Sequence, residues 1–363
     1  MDTDKDLAPF IETIQKNCDI SDADGASIFS VCGMALRLRD LNKWERGLAP
    51  WAEEDPAKLL DWIDKKEQLW EASANTDFLP LPLMGNTFDP FDTPGVNRVL
   101  ARFDLFYGAG YAHSLKPCFF LARIKETRSL GNIPVLVLGR ELVRDLLTLP
   151  ALSQDNAVVF RRDAARLFLW DQMAYLKKSG QRFLRFALRR CGLPDPGVDS
   201  RISHFESILS VQEQTYIHHE AGELSDTVFN RDRFREILSE FPHSPIEFLA
   251  RTVKDLLADT GPAGTLAHII ATENAAALGF YAAFQDGLFP PLFPRLRQAV
   301  EKFAADGDWT GIAQAQQEGF DTAAQYARDL TTLFLDGRQT NDMEQAAAKI
   351  NARLLQPLVD ARP

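Results

Sequence analysis

The sequence predicts a mainly α-helical protein that carries a small antiparallel β-meander near residues 98–140. Two observations lead to this fold class. Apolar residues recur at helical spacing over long stretches on both sides of that region. Within it, three short runs rich in apolar and β-branched residues, 99–107, 118–127 and 133–138, are separated by glycines that suit turns. The all-α description therefore applies to everything outside this stretch.

The predicted elements divide the chain into three segments. Residues 1–76 form an N-terminal helical block, in which Asp55-Pro56 marks the start of a helix. Residues 77–150 begin as a proline-rich extended connection and continue as the β-meander. Residues 151–363 form a C-terminal helical domain, interrupted by proline and glycine, for example at 193–197. We expect the meander to be carried on a helical protein.

The first functional candidate is a basic, amphipathic stretch at residues 161–190, which is predicted to be helical. It holds nine Lys and Arg residues against two Asp, with Phe, Trp and Tyr between them. Arg182, Arg185 and Arg189 are candidates for a patch that binds an anion or an acidic partner. The alternative is that these arginines pair with carboxylates of their own acidic chain.

The second candidate is a predicted helix at residues 202–224, where acids fall on the apolar face. Glu213 and Glu220 are seven residues apart, so they stay on nearly the same side of a helix as the apolar stripe and Tyr216. His219 and Glu223 flank that stripe. A carboxylate on a core face is costly unless it is paired, hydrogen-bonded or bound to a cation.

A second predicted helix, 265–285, has one acid, Glu273, in the middle of its apolar face. If the two helices pack together, Glu213, Glu220 and Glu273 converge as candidate metal ligands. Tyr216, Tyr281 and His219 are then nearby, with Glu223 at the flank. Such a cluster suits a divalent metal ion or iron. The Glu-x-x-His spacing of carboxylate-bridged bundles is absent, however, and a purely structural polar network explains the same pattern.

Composition and charge restrict the partners. The formal net charge of −11 disfavours nucleic acid and anionic membrane surfaces. A secretory signal and an uncharged run long enough to cross a bilayer are missing, and the four cysteines form no CxxC pair, so we expect a cytoplasmic protein. The phosphate-loop, GxSxG and HExxH motifs are also absent.

Several segments resemble an uncharacterised family of bacterial proteins of similar length. They include IQKNCDISDA at 14–23, LRLRD at 36–40, KWERG at 43–47, YGAGY at 107–111, FFLAR at 119–123 and HEAGE at 219–223. The resemblance covers most of the chain and implies a bacterial cytosolic protein. It implies no activity.

Two function hypotheses follow from these residues. The first is a binding or accessory protein whose helical surface engages a protein or a small acidic ligand. The second is a metal-dependent enzyme that uses the cluster of carboxylates and histidine between two helices. The sequence contains no clear pair of nucleophile and base that would decide between them.

Overall fold

A computed structural model describes residues 3–193 and 197–361. Most of the predicted interruption at 193–197, and the ends of the predicted N- and C-terminal segments, lie outside these residues. The chain divides into two compact units, residues 1–170 and 171–363. The predicted helical block 1–76 and the strands that follow it share the first unit.

The N-terminal unit alternates helices with strands, and several helices begin at a polar cap. The Asp55 carboxylate accepts from the Ala57 N–H at the start of the third helix, as Asp55-Pro56 predicts. The elements are α1 (Thr3–Gly25), α2 (Val31–Glu45), α3 (Pro56–Ser73), β1 (Leu81–Leu83), β2 (Asn86–Phe88), α4 (Thr93–Leu100), β3 (Leu105–Tyr111), β4 (Pro117–Leu130), β5 (Ile133–Arg144), β6 (Ala151–Gln154), β7 (Ala157–Arg161) and α5 (Arg162–Ala174), which reaches into the second unit.

The predicted fold class, a helical protein with a small antiparallel meander at 98–140, is wrong. The chain is 65% helical, but it also holds a curled, five-stranded mixed sheet and a separate two-stranded sheet. The strand order of the larger sheet is β3-β4-β5-β7-β6, and β5 pairs with β7 in parallel. The strands extend to Arg161, so the all-α description also fails for residues predicted to open the C-terminal helical domain.

Local signals explain both errors. The predicted first strand, 99–107, begins inside α4, because the Asp92 carboxylate caps a helix that runs to Leu100. The missed strands β6 and β7 form a hairpin around Asp155 and Asn156, which both have positive φ. Two positive φ values at the centre of a two-residue turn match the twist of paired strands.

The sheet buries residues on both of its faces. On one face, Phe10 and Ile14 of α1 pack against Tyr107 and Leu121. Residues one step along the strands, including Phe120, form a second cluster with Leu138 and Val159. The alternation follows from the two-residue period of a strand.

All described secondary-structure elements of the C-terminal unit are helices, and one helix forms its centre. This helix, residues 245–260, begins at the Ser244 cap, and its side chains are buried along nearly the whole length. The elements are α6 (Gln181–Arg190), α7 (Val198–Ser203), α8 (Phe205–Ser225), α9 (Arg231–Glu240), α10 (Pro245–Thr260), α11 (Thr265–Ala271), α12 (Ala275–Ala283), α13 (Phe289–Leu292), α14 (Pro294–Asp306), α15 (Thr310–Thr340), α16 (Met343–Ile350) and α17 (Gln356–Asp360). Among the described helices, none combines the length and apolar character needed to cross a membrane.

Candidate metal centre

The candidate site lies where α8 crosses α10, and a glycine sets the distance between the two helices. A Cβ atom at Gly222 would lie 2.1 Å from the backbone oxygen of Ala258. Only a residue without a side chain therefore permits this close approach of the two backbones. The contact brings four neighbouring residues together. His219 and Asp255 lie three residues before Gly222 and Ala258, and Glu223 and Asp259 directly follow them.

Asp259 holds the imidazole of His219 in a fixed orientation. The His219 Nδ1 donates to Asp259 Oδ1 at 2.9 Å, and the Thr265 hydroxyl donates to the same oxygen at 2.7 Å. The Tyr281 hydroxyl donates to Asp259 Oδ2 at 3.0 Å. With both oxygens bonded and only 6% of its surface exposed, Asp259 is a satisfied buried acceptor. Because Nδ1 of His219 is bonded to Asp259, the other ring nitrogen, Nε2, points away from Asp259.

The Nε2 side of the ring faces two further carboxylates. His219 Nε2 lies 4.0 Å from Asp255 Oδ1. One ligand atom each from His219, Glu223 and Asp255 lies within 4.8 Å of the others. The side chains are partly exposed, 28% for His219 and 47% for Asp255, so the group is open to solvent and to small solutes.

The electrostatics of the group are dominated by negative charge. Burial and the neighbouring Glu223 raise the pKa of Glu220 to about 8. Burial raises the pKa of Asp255 as well, and Glu223 and Asp259 add to the effect. Burial disfavours the charged form of His219, but Asp259, Asp255 and Glu220 together raise its pKa well above the usual value. The imidazolium form of His219 is therefore favoured, and a metal ion that binds Nε2 has to displace its proton.

The structure brings only part of the predicted cluster together. His219 and Glu223 belong to the group, and Glu220 is 9% exposed beside it. Glu213 is also buried, two turns before Glu220 on α8, but it contributes no ligand atom to this group. The Tyr216 hydroxyl donates instead to Gln172 Oε1, at 3.2 Å.

The predicted burial of Glu273 in the middle of one helix is wrong. The predicted helix 265–285 is broken into α11 and α12, and Glu273 lies exposed in the connection with a φ of 48°. Asn274 caps α12 by accepting from the Ala277 N–H, so the chain stops one helix and starts another within three residues. Glu273 therefore cannot share a buried network with Glu213 and Glu220.

Asp255 and Asp259 were missed by the sequence analysis. The signal available was a pair of four-residue spacings, His219 to Glu223 and Asp255 to Asp259, each of which places two groups on one helix face. These spacings differ from the three-residue spacing of Glu-x-x-His. Pairing these two helices also required knowing that Gly222 lies against α10.

The predicted basic helix at 161–190 is interrupted. Arg161 ends β7 and pairs with Glu141, whereas Arg182, Arg185 and Arg189 lie exposed on α6. Arg182 is paired with Glu301. Among the described residues no ion pair is recorded for Arg185 and Arg189. The exposed stripe on α6 is opposite a buried face that packs on α12.

Fold and site together define a protein with two domains, one of helices around a mixed sheet and one of helices that carries a carboxylate and histidine cluster. The model of a family of unknown function (DUF6866), N-terminal domain, matches residues 9–161, and the C-terminal domain of the same family matches residues 166–356. The chain belongs to this family, which confirms the resemblance to an uncharacterised family. No curated protein and no solved structure matches the chain.

Proposed function

We propose that the C-terminal unit binds a divalent transition-metal ion through His219, Glu223 and Asp255. The observation that carries the proposal is the convergence of one imidazole nitrogen and two carboxylates, with atoms within 4.8 Å of one another. Binding of an ion would require the three partly exposed side chains to rotate and bring these atoms closer together. The set replaces the predicted ligands Glu213, Glu220 and Glu273, of which Glu273 lies exposed between α11 and α12.

The hydrogen bond of His219 to Asp259 supports this assignment. Histidines that bind metals commonly donate their second ring N–H to a carboxylate, which fixes the tautomer and strengthens the ligand. Here Asp259 accepts from Nδ1 and leaves Nε2 toward Asp255. Thr265 and Tyr281 in turn hold Asp259. The imidazole is therefore oriented before any ion arrives.

The charge balance of the cluster also supports a cation. Four carboxylates, Glu220, Glu223, Asp255 and Asp259, surround one imidazole. The pKa of Asp255 is raised by burial, and Arg251 offsets this only in part, since its side chain is bound to Glu247 at 2.9 Å. A divalent ion would neutralise the excess charge that burial makes costly.

The donor set suits a metal with an open coordination position. One imidazole and two carboxylates suit Zn²⁺, Fe²⁺ or Mn²⁺ better than Ca²⁺ or Mg²⁺, which prefer oxygen. Three protein ligands leave a position for water, as in catalytic rather than structural zinc sites. Such an ion would supply Lewis acidity, and we propose metal-dependent hydrolysis as the class of reaction.

Metal-induced stabilisation tests the site. Zn²⁺, Mn²⁺ and anaerobic Fe²⁺ are added separately to the full chain after chelator treatment, and melting temperature and bound metal are measured. At 100 times the dissociation constant, about 2.7 kcal/mol of stabilisation is expected. His219→Gln and Asp255→Asn should remove it, whereas His204→Gln, an exposed histidine at the start of the same helix, should keep it. Equal metal binding by all four proteins would contradict the proposal.

A second candidate function is partner binding at the basic stripe of α6. Arg185 and Arg189 are exposed without a recorded ion pair among the described residues, and they share a helix face with Arg182. Their chemistry suits an acidic protein segment. Polyglutamate should bind the chain in a salt-dependent manner, and R185E together with R189E should abolish this binding. Unchanged binding by that variant would contradict this function. A cytoplasmic location, a bacterial source and the absence of nucleic-acid binding stay predictions.

A further inference from the structure

The N-terminal unit contains a cavity of about 870 Å³ that the proposed metal centre does not use. It lies among α1, the end of α2, α3, β5 and the start of α5, and all of its lining residues belong to this unit. A cavity of this size is in the range of small-molecule sites. The apolar part of the wall is formed by Trp44, Leu48, Ala49, Pro50, Leu69, Leu142 and Leu167.

Most charged groups in the lining are already committed to each other. Lys66 is shared by Asp19, at 3.3 Å, and Glu45, at 2.9 Å. Glu141 is bound by Arg161 at 2.7 Å and faces Arg144 at 3.4 Å. Because these side chains are paired with each other, they have few hydrogen-bonding groups left for a ligand.

Two lining residues of opposite charge, Asp163 and Arg140, form no such ion pair with the described residues. Asp163 accepts a hydrogen bond from the Glu141 backbone N–H at 3.1 Å, and no ion pair is recorded for it among the described residues. Burial raises the pKa of Asp163, and Arg166, which also lines the cavity, and Arg144 offset part of this effect. Arg140 is exposed and likewise has no recorded ion pair in the described part of the chain.

The two groups lie near each other along the backbone. Asp163 bonds to the N–H of Glu141, the residue that directly follows Arg140 on β5. Both residues belong to the lining, so an acceptor for an ammonium group and a donor for a carboxylate are present in a cavity with an apolar wall. Asp163 is partly buried and Arg140 is exposed. A ligand that carries both an ammonium group and a carboxylate supplies each of them with a partner of opposite charge.

We propose that this cavity binds a zwitterionic α-amino acid with an apolar side chain. Asp163 binds the ammonium group, Arg140 binds the carboxylate, and the side chain packs against Trp44 and the neighbouring leucines. A ligand with only one of the two charges leaves either Asp163 or Arg140 without its partner. The class of ligand is therefore defined by the pair of charges, and the cavity volume leaves room for a large side chain with ordered water.

Calorimetric titration of the full chain distinguishes the ligand classes. The probes are L-phenylalanine and L-leucine, compared with phenethylamine, which lacks the carboxylate, and 3-phenylpropionate, which lacks the ammonium group. At least one amino acid should bind ten times more tightly than either singly charged probe. Equal affinity for phenethylamine and L-phenylalanine, or no binding by either amino acid, overturns the proposal.

Substitutions then test the two contacts separately. Asp163→Asn keeps an acceptor for the Glu141 N–H and should weaken amino-acid binding at least tenfold. Arg140→Gln changes an exposed side chain and should do the same without loss of fold. Glu126→Gln, in an exposed ion pair on β4, is the matched control and should bind like the wild type. Binding that survives both Asp163→Asn and Arg140→Gln refutes the assigned site.

Discussion

The two units treat buried carboxylates in opposite ways. In the N-terminal unit, Glu141 lies between two guanidinium groups, those of Arg144 and Arg161, which are 0% and 2% exposed. Arg161 also stacks over the Phe120 ring at 4.0 Å. In the C-terminal unit, four carboxylates share the single imidazole of His219. The group around Glu141 has more positive than negative side chains, and the group around His219 has more negative than positive ones.

This difference separates a structural network from a candidate site. An acid that is matched by its own chain offsets the cost of burying its partners, and its removal leaves their charge uncompensated. An acid that is crowded by other acids weakens the fold until a cation from solution arrives. Burial alone does not distinguish the two cases, because Glu141 and Glu220 are both largely buried.

The largest expected effect tests the compensated side of this comparison. Glu141→Gln leaves two buried guanidinium groups without their carboxylate, so the free energy of unfolding should fall by about 3 to 5 kcal/mol. Urea denaturation followed by tryptophan fluorescence measures it, since Trp44, Trp51, Trp62, Trp70 and Trp170 lie in the N-terminal unit. The exposed Glu126→Gln should change stability by less than about 0.5 kcal/mol. A similar loss in both variants would show that Glu141 is not special.

The next effect concerns the helix crossing that assembles the acidic cluster. Gly222→Ala should cost about 1 to 3 kcal/mol, because the new methyl group meets the Ala258 backbone and forces the helices apart. Binding of Zn²⁺ or Mn²⁺ should weaken with it, as measured by calorimetry. Gly311→Ala is the matched control, since no atom lies within 4 Å of a Cβ there. Normal metal binding by the Gly222 variant would show that the metal site does not depend on the close contact of α8 and α10.

The smallest effect has the opposite sign. Glu220→Gln removes one of the crowded acids, so without metal it should raise the free energy of unfolding by roughly 1 to 2 kcal/mol. The pKa of Glu220 is raised to about 8 from an ordinary 4.5, so its charge destabilises the folded state increasingly as pH rises between these values. The gain should therefore be absent near pH 4 and full above pH 8 in thermal melts with EDTA. A destabilised variant at pH 8 would mean that Glu220 has a matched partner after all.

Sequence reasoning located the right helix but not the whole site. The conflict between charge and apolar face on α8 was visible, and it led to His219, Glu220 and Glu223. Asp255 and Asp259 lie on a helix whose partner depends on a glycine contact between segments far apart in sequence. Glu273 was misplaced because one residue with positive φ ended a helix that apolar periodicity alone would continue.

The sheet shows the same limit. The strands from 105 to 138 are marked by apolar and β-branched runs, which predicted them. The Asp155-Asn156 turn also favours a hairpin, but the β6–β7 hairpin was not predicted. The parallel pairing of β5 with β7 has no local signal, because β6 and its connections separate the two strands along the chain. Long-range pairing of this kind decides the fold class, and no single stretch of sequence encodes it.

The Ala258 carbonyl oxygen has a role beyond the spacing of two helices. It lies 2.1 Å from the Cβ position of Gly222 and 1.9 Å from that of Gly264, the residue before α11. Three chain segments thus converge on one atom, and Thr265, which anchors Asp259, follows immediately. Because α8, α10 and the start of α11 are in contact here, we expect a fluctuation that opens the cluster to move more than one of these segments. Opening must be concerted, so amide hydrogens around this atom should exchange with solvent as a single cooperative group.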